Sequence, residues 1–514
     1  ADDLSGNLTG LHITEETALN TLATTPVWYE REPNTYTDFG GTYAMTARVP
    51  ITHDRQAKKG AITDVTPAGG WNEDLTANNM PWLMQGFLFA DAREKPSSAP
   101  LNGTFRQITA VANTDDSYAA SAGLGSFIAG HLIYASGFNQ PTNNGLKTVV
   151  TSASGKVTVS ETLADEASPP SIAKFQAVGF EFPSGTVALD VAASDVMLTS
   201  STTDLTTLGF NVGEWVFVGG DDTSTRFADT TNNAPFYARI ASVEAGALTF
   251  DKTTGTQIDD DGTGKTIQIF FPNAVVRNEE DCTLIKRRSY QIERQYGCGA
   301  GTVEAEYLTG SVPNEMTIHV PTPGADAKVN VDLTFMPMLV DYASVDDGVK
   351  AGTRVTALEE GFFSTSFHVY QNKLNVIDPT TLNPAPLVGY VSESTITINN
   401  NVAGNKAIGV FGNYNANVGM FTVTGSDTTY FTSLAATQAV RANPDVTRHI
   451  ILTRQNAGIV FDFPLISLGG GLVSVAANTP VTVPLDSSMA KGAKGYTMMV
   501  SFFPYLPTVG MANS

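Results

Sequence analysis

Apolar and polar residues alternate over short stretches of this 514-residue chain, and few segments have a helical period. Residues 43–52 and 394–402 show the period of two that is typical of a strand with one buried face. Helical patterns occur at residues 78–92, with Pro81 in the first turn, and at residues 427–442. The pattern predicts an all-β fold with one or two short helices.

Composition supports this prediction, and the length requires several cores. The chain has 46 Gly and 26 Pro, with 42% apolar and 16% charged residues, which favours strands interrupted by turns. A chain this long suggests about three or four domains.

A short repeat marks two small β units. Residues 127–137 and 210–220 share the pattern Phe-x-apolar-Gly-x-apolar-apolar-aromatic-apolar-x-Gly, and a two-strand pattern follows each. The repeat predicts two small β-barrels, at residues 104–183 and 184–271.

A second repeat spans larger units and includes the heptapeptides LTFMPML (333–339) and VSFFPYL (500–506). Upstream, QIERQYG (291–297) resembles ILTRQNAG (451–458). Matching blocks in one order, at offsets of 160 to 167 residues, indicate a duplicated domain. The residues matched by this repeat are Arg294 with Arg454, Gln295 with Gln455, Phe335 with Phe502, and Pro337 with Pro504.

The duplication predicts two large domains, the first of them interrupted by both small barrels between its helix and the following strand. Insertions are tolerated at exposed loops, so the small barrels should face outward. The expected divisions are an N-terminal arm (1–40), a first large domain (41–103 plus 272–345), the two inserted barrels, a linker (346–388) and a second large domain (389–514).

The chain is acidic, with 30 Lys and Arg against 51 Asp and Glu, a formal charge of −21. This balance argues against tight phosphate binding, which needs basic patches. An acidic wall would still repel a nucleic-acid backbone and let it slide past. Plain solubility explains the total charge equally well.

No catalytic or metal-binding constellation is recognisable, so we expect no enzyme, no cofactor and no metal. Cys282 and Cys298 lack the spacing of a zinc site, and the alternatives are reduced structural thiols or a bridge in an oxidising setting. The first ten residues lack a secretory signal and no stretch of about 18 apolar residues occurs, so we expect a cytosolic product that stays out of membranes. The six scattered histidines are His12, His53, His131, His319, His368 and His449.

Four segments together resemble the major tail tube proteins of long-tailed bacteriophages with non-contractile tails, and the Chi-like, flagellum-attaching group in particular. The resemblance covers most of the chain outside the insertion, and it consists of diffuse strand patterns. The segments are residues 34–60, 287–321, 394–412 and 478–507.

The resemblance implies a β-sandwich or barrel flanked by a helix, with inner strands that join those of neighbouring subunits into a continuous β-barrel around a lumen. Rings would stack around a tape measure protein, the emptied lumen would conduct viral DNA, and tail terminator and distal tail proteins would be further partners. The protein would be a virion component assembled in the host cytoplasm. The usual family ring has six single-domain subunits, so two tube domains in one chain point to a pseudo-sixfold trimer with the inserted barrels on its surface.

Candidate residues are carried over from the resemblance by position. The first 40 residues would be an arm laid on a neighbour, and Arg294 and Arg454 would be matching structural residues or plain salt-bridge partners. The candidates for lumen strands are Tyr43, Met45, Thr46, Arg48, Thr395, Thr397 and Asn399. The candidates for contacts between rings, in the loops at 56–64 and 405–413, are Lys58, Lys59, Asp64, Lys406 and Asn413.

Two alternatives to a tube subunit remain. In the first, the chain is a phage or cell-surface adhesin whose inserted barrels bind glycan or host protein through four aromatic residues. The other interpretation of these aromatic residues is that they pack in a core. In the second, it is a hydrolase on a β scaffold. The aromatics concerned are Tyr134, Trp215, Phe217 and Phe227.

Overall fold

The structure is a computed structural model that describes residues 6–228, 235–297 and 303–512. Its regular structure is mostly strand, with two short α-helices in this part of the chain, which confirms the predicted fold class. The helices are α1 (Pro81–Phe87) and α2 (Ala435–Ala442), and the short 3-10 turns are Gly6–Leu8, Pro141–Asn143, Leu205–Leu208, Thr223–Thr225 and Thr508–Gly510.

The strands fall into four consecutive groups. Before the insertion lie β1 (Thr9–Glu15), β2 (Val27–Arg31), β3 (Pro33–Thr46), β4 (Ala61–Asp74) and β5 (Arg93–Glu94). The insertion contains β6 (Ile108–Ala112), β7 (Ser117–Ala120), β8 (His131–Ser136), β9 (Gly145–Ala153), β10 (Lys156–Val159), β11 (Lys174–Glu181), β12 (Val187–Val191), β13 (Val196–Ser200), β14 (Trp215–Val218), β15 (Phe236–Glu244), β16 (Ala247–Thr253) and β17 (Gln268–Phe270). After it come β18 (Ala274–Arg277), β19 (Tyr290–Tyr296), β20 (Glu304–Val320), β21 (Asn330–Met336), β22 (Leu339–Ala343), β23 (Thr353–Val355) and β24 (Val369–Val376). The last group is β25 (Val391–Asn399), β26 (Ala403–Asn405), β27 (Asn415–Asn417), β28 (Thr422–Tyr430), β29 (Val446–Arg454), β30 (Ala457–Gly470), β31 (Thr482–Ala490) and β32 (Met499–Phe503).

Eight of these strands form one continuous antiparallel sheet, which we call the inner sheet. Its order is β3, β4, β21, β20, β25, β28, β31, β30. The first four strands belong to the first repeat and the last four to the second. The repeats meet where β20 pairs with β25, in a register that sets Glu315 opposite Asn399.

The two halves of the inner sheet have the same topology. In strand order, β3, β4, β21 and β20 correspond to β25, β28, β31 and β30. Behind them, the order β1, β19, β20, β22 corresponds to β24, β29, β30, β32. Strands β20 and β30 are long enough to take part in both sheets. The apolar core lies between these layers, where Trp71 stacks on Phe335 at 5.2 Å.

The observed topology differs from the predicted repeat at the two heptapeptides, which lie in strands that do not correspond. LTFMPML lies at the end of β21, which pairs with β4 and β20, whereas VSFFPYL lies in β32, which pairs with β30 and β18. Phe335 and Phe502, and with them Pro337 and Pro504, therefore do not occupy corresponding strands. The likeness has a local cause, because in both places a buried strand ends just before a proline that cannot continue the hydrogen-bond ladder.

Both predicted helices are shorter than their sequence patterns. Helix α1 starts at Pro81, its first helical position, and buries Leu83 and Phe87 in the core. In the second segment, residues 427–430 belong to β28, because this Thr-rich stretch pairs with β31, and helix α2 starts only at Ala435.

Two segments predicted to lie outside the large domains are part of their sheets. In the expected N-terminal arm, β1 pairs with β19 along its whole length. In the expected linker, β24 pairs with β29 in the corresponding place of the second repeat. Alternating residues in β1 that point into the core, such as Leu11 and Ile13, explain this placement.

The insertion also contains a repeated topology. Its twelve strands form a sheet in the order β12, β13, β16, β15, β14, β17, β11, β8, β9, β10, β7, β6. The five strands before the central β17 and β11 pair mirror the five after it, so β14 corresponds to β8. The insertion interrupts the first repeat but packs on the second, against the sheet formed by β24, β29, β30 and β32. Trp215, Tyr237 and Phe503 share one apolar cluster there.

Candidate functional site

The inner sheet has one face in the core and one polar face. In β25, Ile396 and Ile398 are buried, while Thr395, Thr397 and Asn399 alternate with them on the other face. The same alternation runs through β20, β21, β28 and β31. One face of the sheet is therefore available for contact with something outside the chain.

The polar face is built from small hydroxyl, amide and carboxylate side chains. None of the eight strands of the inner sheet contains Lys or Arg. A shallow concavity of about 520 Å³ crosses the second half of this face, with Asp486 and Ser488 in its lining. The side chains on the polar face include Asn330, Asp332 and Thr334 in β21, Glu315, Thr317 and His319 in β20, and Thr424, Ser426, Asp486 and Ser488 in β28 and β31.

Hydrogen bonds along the polar face connect neighbouring strands. Thr317 Oγ1 lies 3.2 Å from Thr397 Oγ1 across the boundary between the repeats. His319 Nε2 lies 2.7 Å from Asp332 Oδ2, and Asn72 Nδ2 donates to the other oxygen of that carboxylate at 2.7 Å. These contacts tie the polar side chains of neighbouring strands to one another.

Both outer edges of the inner sheet lack a partner strand in the described parts of the chain. Strand β3 pairs with β4 alone, and the end of β30, Ser467 to Gly470, pairs only with β31. Just beyond β30, Leu472 is 81% exposed and Val475 is 74% exposed. Long unpaired edges are templates for strand addition, and exposed apolar residues beside one mark a contact surface.

The first repeat's lumen candidates lie away from the polar face. Strand β3 runs from Pro33 to Thr46, so it begins and ends earlier than the strand predicted at 43–52, and Arg48 lies in the loop that follows. Beyond the pairing of β4 with β21, the β3 and β4 hairpin leaves the inner sheet as a two-stranded arm that carries Tyr43, Met45 and Thr46. Tyr43 lies 3.0 Å from Tyr342, oxygen to oxygen.

The structure brings together two of the five candidates for contacts between rings. Lys406 Nζ lies 2.9 Å from a carboxylate oxygen of Asp64, so the loop of the second repeat is attached to the hairpin of the first. Asn413 is buried and donates to the Pro337 carbonyl at 3.1 Å. Lys58 and Lys59 are exposed at the hairpin tip, with no ion pair among the described contacts.

Arg294 and Arg454 lie at corresponding ends of β19 and β29. Arg294 pairs with Glu306 at 2.6 Å, and its guanidinium lies 4.4 Å from the centre of the Phe39 ring. Arg454 donates to the Phe362 carbonyl instead. The neighbouring Gln295 donates to Glu293 at 2.7 Å, whereas Gln455 occupies a turn with a φ of 48°.

A buried polar cluster joins the insertion to the second repeat. One oxygen of Asp462 accepts hydrogen bonds from Trp215 Nε1 at 2.9 Å and Arg239 Nη1 at 3.2 Å, and the other accepts from Tyr496 at 2.7 Å. Burial raises the pKa of Tyr496 well above its usual value. Sequence patterns gave no signal for this cluster, because its members come from distant parts of the chain, with Trp215 and Asp462 alone 247 residues apart.

The aromatics considered for ligand binding pack against protein. Trp215, Phe217 and Phe227 are buried, and Tyr134 stacks on Tyr505 at 5.1 Å. These contacts favour the packing alternative over a glycan-binding surface.

Three further observations concern only the described residues. No group of three or more His, Cys, Asp or Glu there could hold a metal ion. None of the helices described has the length and apolar character needed to span a bilayer. Cys282 is exposed, and Cys298 lies outside the described residues.

Of the comparisons with known proteins, the one with family models identifies a family. A family model described as "Phage tail tube protein" matches residues 6–489. A search of curated proteins returned no match. Among solved structures, the endosialidase of phage phi92 aligns over 93% of this chain and 77% of its own, at 9% identity and a TM-score of 0.14.

Proposed function

The chain belongs to the phage tail tube protein family, and we propose that three copies close into a pseudo-sixfold ring around a DNA-conducting lumen. As a member of this family, the chain is a structural component of the virion and assembles with itself into a tube. The observation that carries the proposal is the inner sheet, both of whose edges lack a partner strand among the described residues, and whose strands contain no Lys or Arg.

The strand pairing that joins the two repeats within the chain is our model for the strand pairing between chains. Within the chain, β20 of the first repeat pairs with β25 of the second. Because β30 corresponds to β20 and β3 corresponds to β25, the free end of β30 would pair in the same way with β3 of the next copy. Strand pairing of this kind removes both exposed edges and closes a cyclic ring.

Strand number supports three chains. With strands about 4.8 Å apart and tilted by about 40°, eight strands from each of three chains give a barrel about 48 Å across at the backbone. Inward side chains would leave a lumen about 38 Å wide, enough for a DNA duplex with its hydration. Two chains would leave about 22 Å by the same arithmetic, which allows almost no space around a duplex.

The charge of the polar face suits the transport of DNA. Side chains such as Asp332 and Asp486 repel phosphates, and no Lys or Arg in the inner strands would hold them. Phosphate binding depends on such cations, so a wall without them offers little friction to a passing duplex.

The finer assignments rest on the sequence resemblance. We propose a non-contractile siphovirus-type tail, with the Chi-like group as the specific relative. The lumen would hold a tape measure protein before DNA, and the tube would end at terminator and distal tail proteins. Assembly would take place in the host cytoplasm.

An adhesin is the alternative function, and a test separates the two. Negative-stain electron microscopy of the purified protein should show rings or long hollow filaments. Discrete particles that never associate, at any concentration, would contradict a tube subunit and favour the adhesin.

A further inference from the structure

The tip of the β3 and β4 hairpin is basic. The loop at residues 47–60 carries Arg48, Arg55, Lys58 and Lys59 against the single acid Asp54. All four cations are exposed, and none has an ion pair among the described contacts. The loop is thus locally basic in a chain with a formal charge of −21. The loop also exposes two apolar side chains, Val49 at 80% and Ile51 at 106%.

An acidic groove lies at the other end of the same hairpin. It has a volume of about 510 Å³, and its lining contains five carboxylates. Glu73 is paired with Arg31 and Asp74 with Lys328, which leaves three carboxylates without an ion pair among the described contacts. Exposed apolar side chains, Tyr29, Leu358 and Phe362 among them, lie beside the charges. The carboxylates are Glu30, Glu32, Glu73, Asp74 and Glu360.

The hairpin sets the direction and distance between these two surfaces. Pro33 lies opposite Glu73 at its base, beside the groove, and Thr46 lies opposite Ala61 near the tip. Thirteen residue steps of about 3.3 Å separate the ends by about 40 Å. The two surfaces lie at opposite ends of one hairpin, are opposite in charge and are both partly apolar. This is the arrangement of a head-to-tail contact between copies.

We propose that the hairpin tip of a chain in one ring inserts into the acidic groove of a chain in the next ring. The occupant of the groove is thus a second copy of this chain. The inference deepens the proposed function, on which it rests, by naming both surfaces of the contact between rings.

The second repeat does not provide the same contact. Its corresponding loop, between β25 and β28, folds back on its own chain through the pair of Lys406 with Asp64 and through buried Asn413. Lys406 also donates to the Val65 carbonyl at 2.7 Å. The contact is therefore made once per chain, so a ring with six similar domains would bind the next ring at three points.

Two isoleucines give a matched test of this asymmetry. Ile51 in the first repeat's loop and Ile408 in the second repeat's loop are each 106% exposed, so Ile51→Asp and Ile408→Asp should both fold normally. Ile51→Asp should leave rings that fail to form tubes by negative-stain microscopy. Ile408→Asp should form tubes as the unmodified chain does. Equal loss of tubes in both variants would overturn a contact made once per chain.

Charge reversal tests the groove. Lys58→Glu with Lys59→Glu should give rings without tubes, and adding Glu32→Lys with Glu360→Lys to the same chain should restore tubes. The control, Lys156→Glu with Lys491→Glu, reverses two exposed cations elsewhere and should assemble normally. The inference would be contradicted if the Lys58 and Lys59 variant formed normal tubes or lost its rings. It would also be contradicted if the two added lysines did not restore tubes. Failure of the unmodified chain to form rings would instead contradict the proposed function.

Discussion

Asn399 Nδ2 donates a hydrogen bond to Glu315 Oε2 at 2.6 Å, across the boundary between the two repeats. The two residues face each other in the register that joins β20 to β25. This pairing makes one sheet of two repeats, and the same pairing repeated between chains would make one barrel of several sheets.

Acidic substitutions at the free end of the inner sheet should prevent ring closure without unfolding the chain. Leu472 and Val475 are mostly exposed in the single chain, so Leu472→Asp with Val475→Asp should change the melting temperature little. If the next copy covers them, burial of two carboxylates should block association, and mass photometry should show monomers. Ile172→Asp, at a 71% exposed position on the insertion, is the control. Rings from the double variant would place the junction elsewhere.

Lysines on the polar face should make assembled tubes retain DNA. Thr424 and Ser488 lie opposite each other on β28 and β31. Tubes with Thr424→Lys and Ser488→Lys should co-sediment with a short DNA duplex at low salt and release it as salt rises, since released counterions drive such binding. Tubes with Thr109→Lys, on the insertion, should bind no more than unmodified tubes. Equal binding by both variants would mean that the polar face is not the lumen.

Loss of the buried Arg239 should weaken the attachment of the insertion to the second repeat. Arg239→Ala leaves Asp462 buried with fewer donors, and removal of one partner of a buried ion pair typically costs about 3–5 kcal/mol. We expect a clear drop in melting temperature by calorimetry. Lys156→Ala, which breaks an exposed pair with Asp115, should cost at most about 1 kcal/mol. Similar effects of the two variants would contradict a stabilising role for the cluster.

Acidification should destabilise the chain through buried histidine. Burial lowers the pKa of His449 well below its usual value, and the nearby cations Arg239, Lys373, Lys252 and Arg448 lower it further. A lowered histidine pKa favours the neutral form in the folded chain, so stability is lost as pH falls below about 6.5. The melting temperature should therefore fall between pH 7.5 and 5.5, and His449→Gln should reduce that fall.

Buried carboxylates act in a lower pH range. Burial raises the pKa of Glu293, but hydrogen bonds from His12 and Arg354 outweigh it and lower this pKa to about 2. The stabilising effect of such a group is lost only as pH falls below about 4.5. Burial also lowers the pKa of His131, to about 4, so His131 destabilises the folded chain at acidic pH as His449 does. His449→Gln should therefore reduce the fall in melting temperature without abolishing it. An unchanged fall in His449→Gln would contradict this account.

The sequence predicted the strand class well because alternation is a local property. Thr395, Thr397 and Asn399 were placed on one face of a strand, and they lie there. Local sequence similarity also led to a wrong prediction. Phe335 and Phe502 lie near the ends of similar strands, but these strands do not correspond in the topology. The Asp462 cluster and the acidic groove could not be predicted, since each gathers residues from distant parts of the chain. Part of the basic tip was predicted, since Lys58 and Lys59 are candidates for contacts between rings, whereas Arg48 was assigned to a strand.

The most direct test of the account is the number of chains in one ring, with the strands that join them, seen in a strand-resolved electron cryomicroscopy reconstruction of the assembled tube. The account predicts three chains per ring, each with β30 paired to β3 of its neighbour as β20 is paired to β25 within the chain. Six chains per ring, or rings closed through other strands, would contradict it.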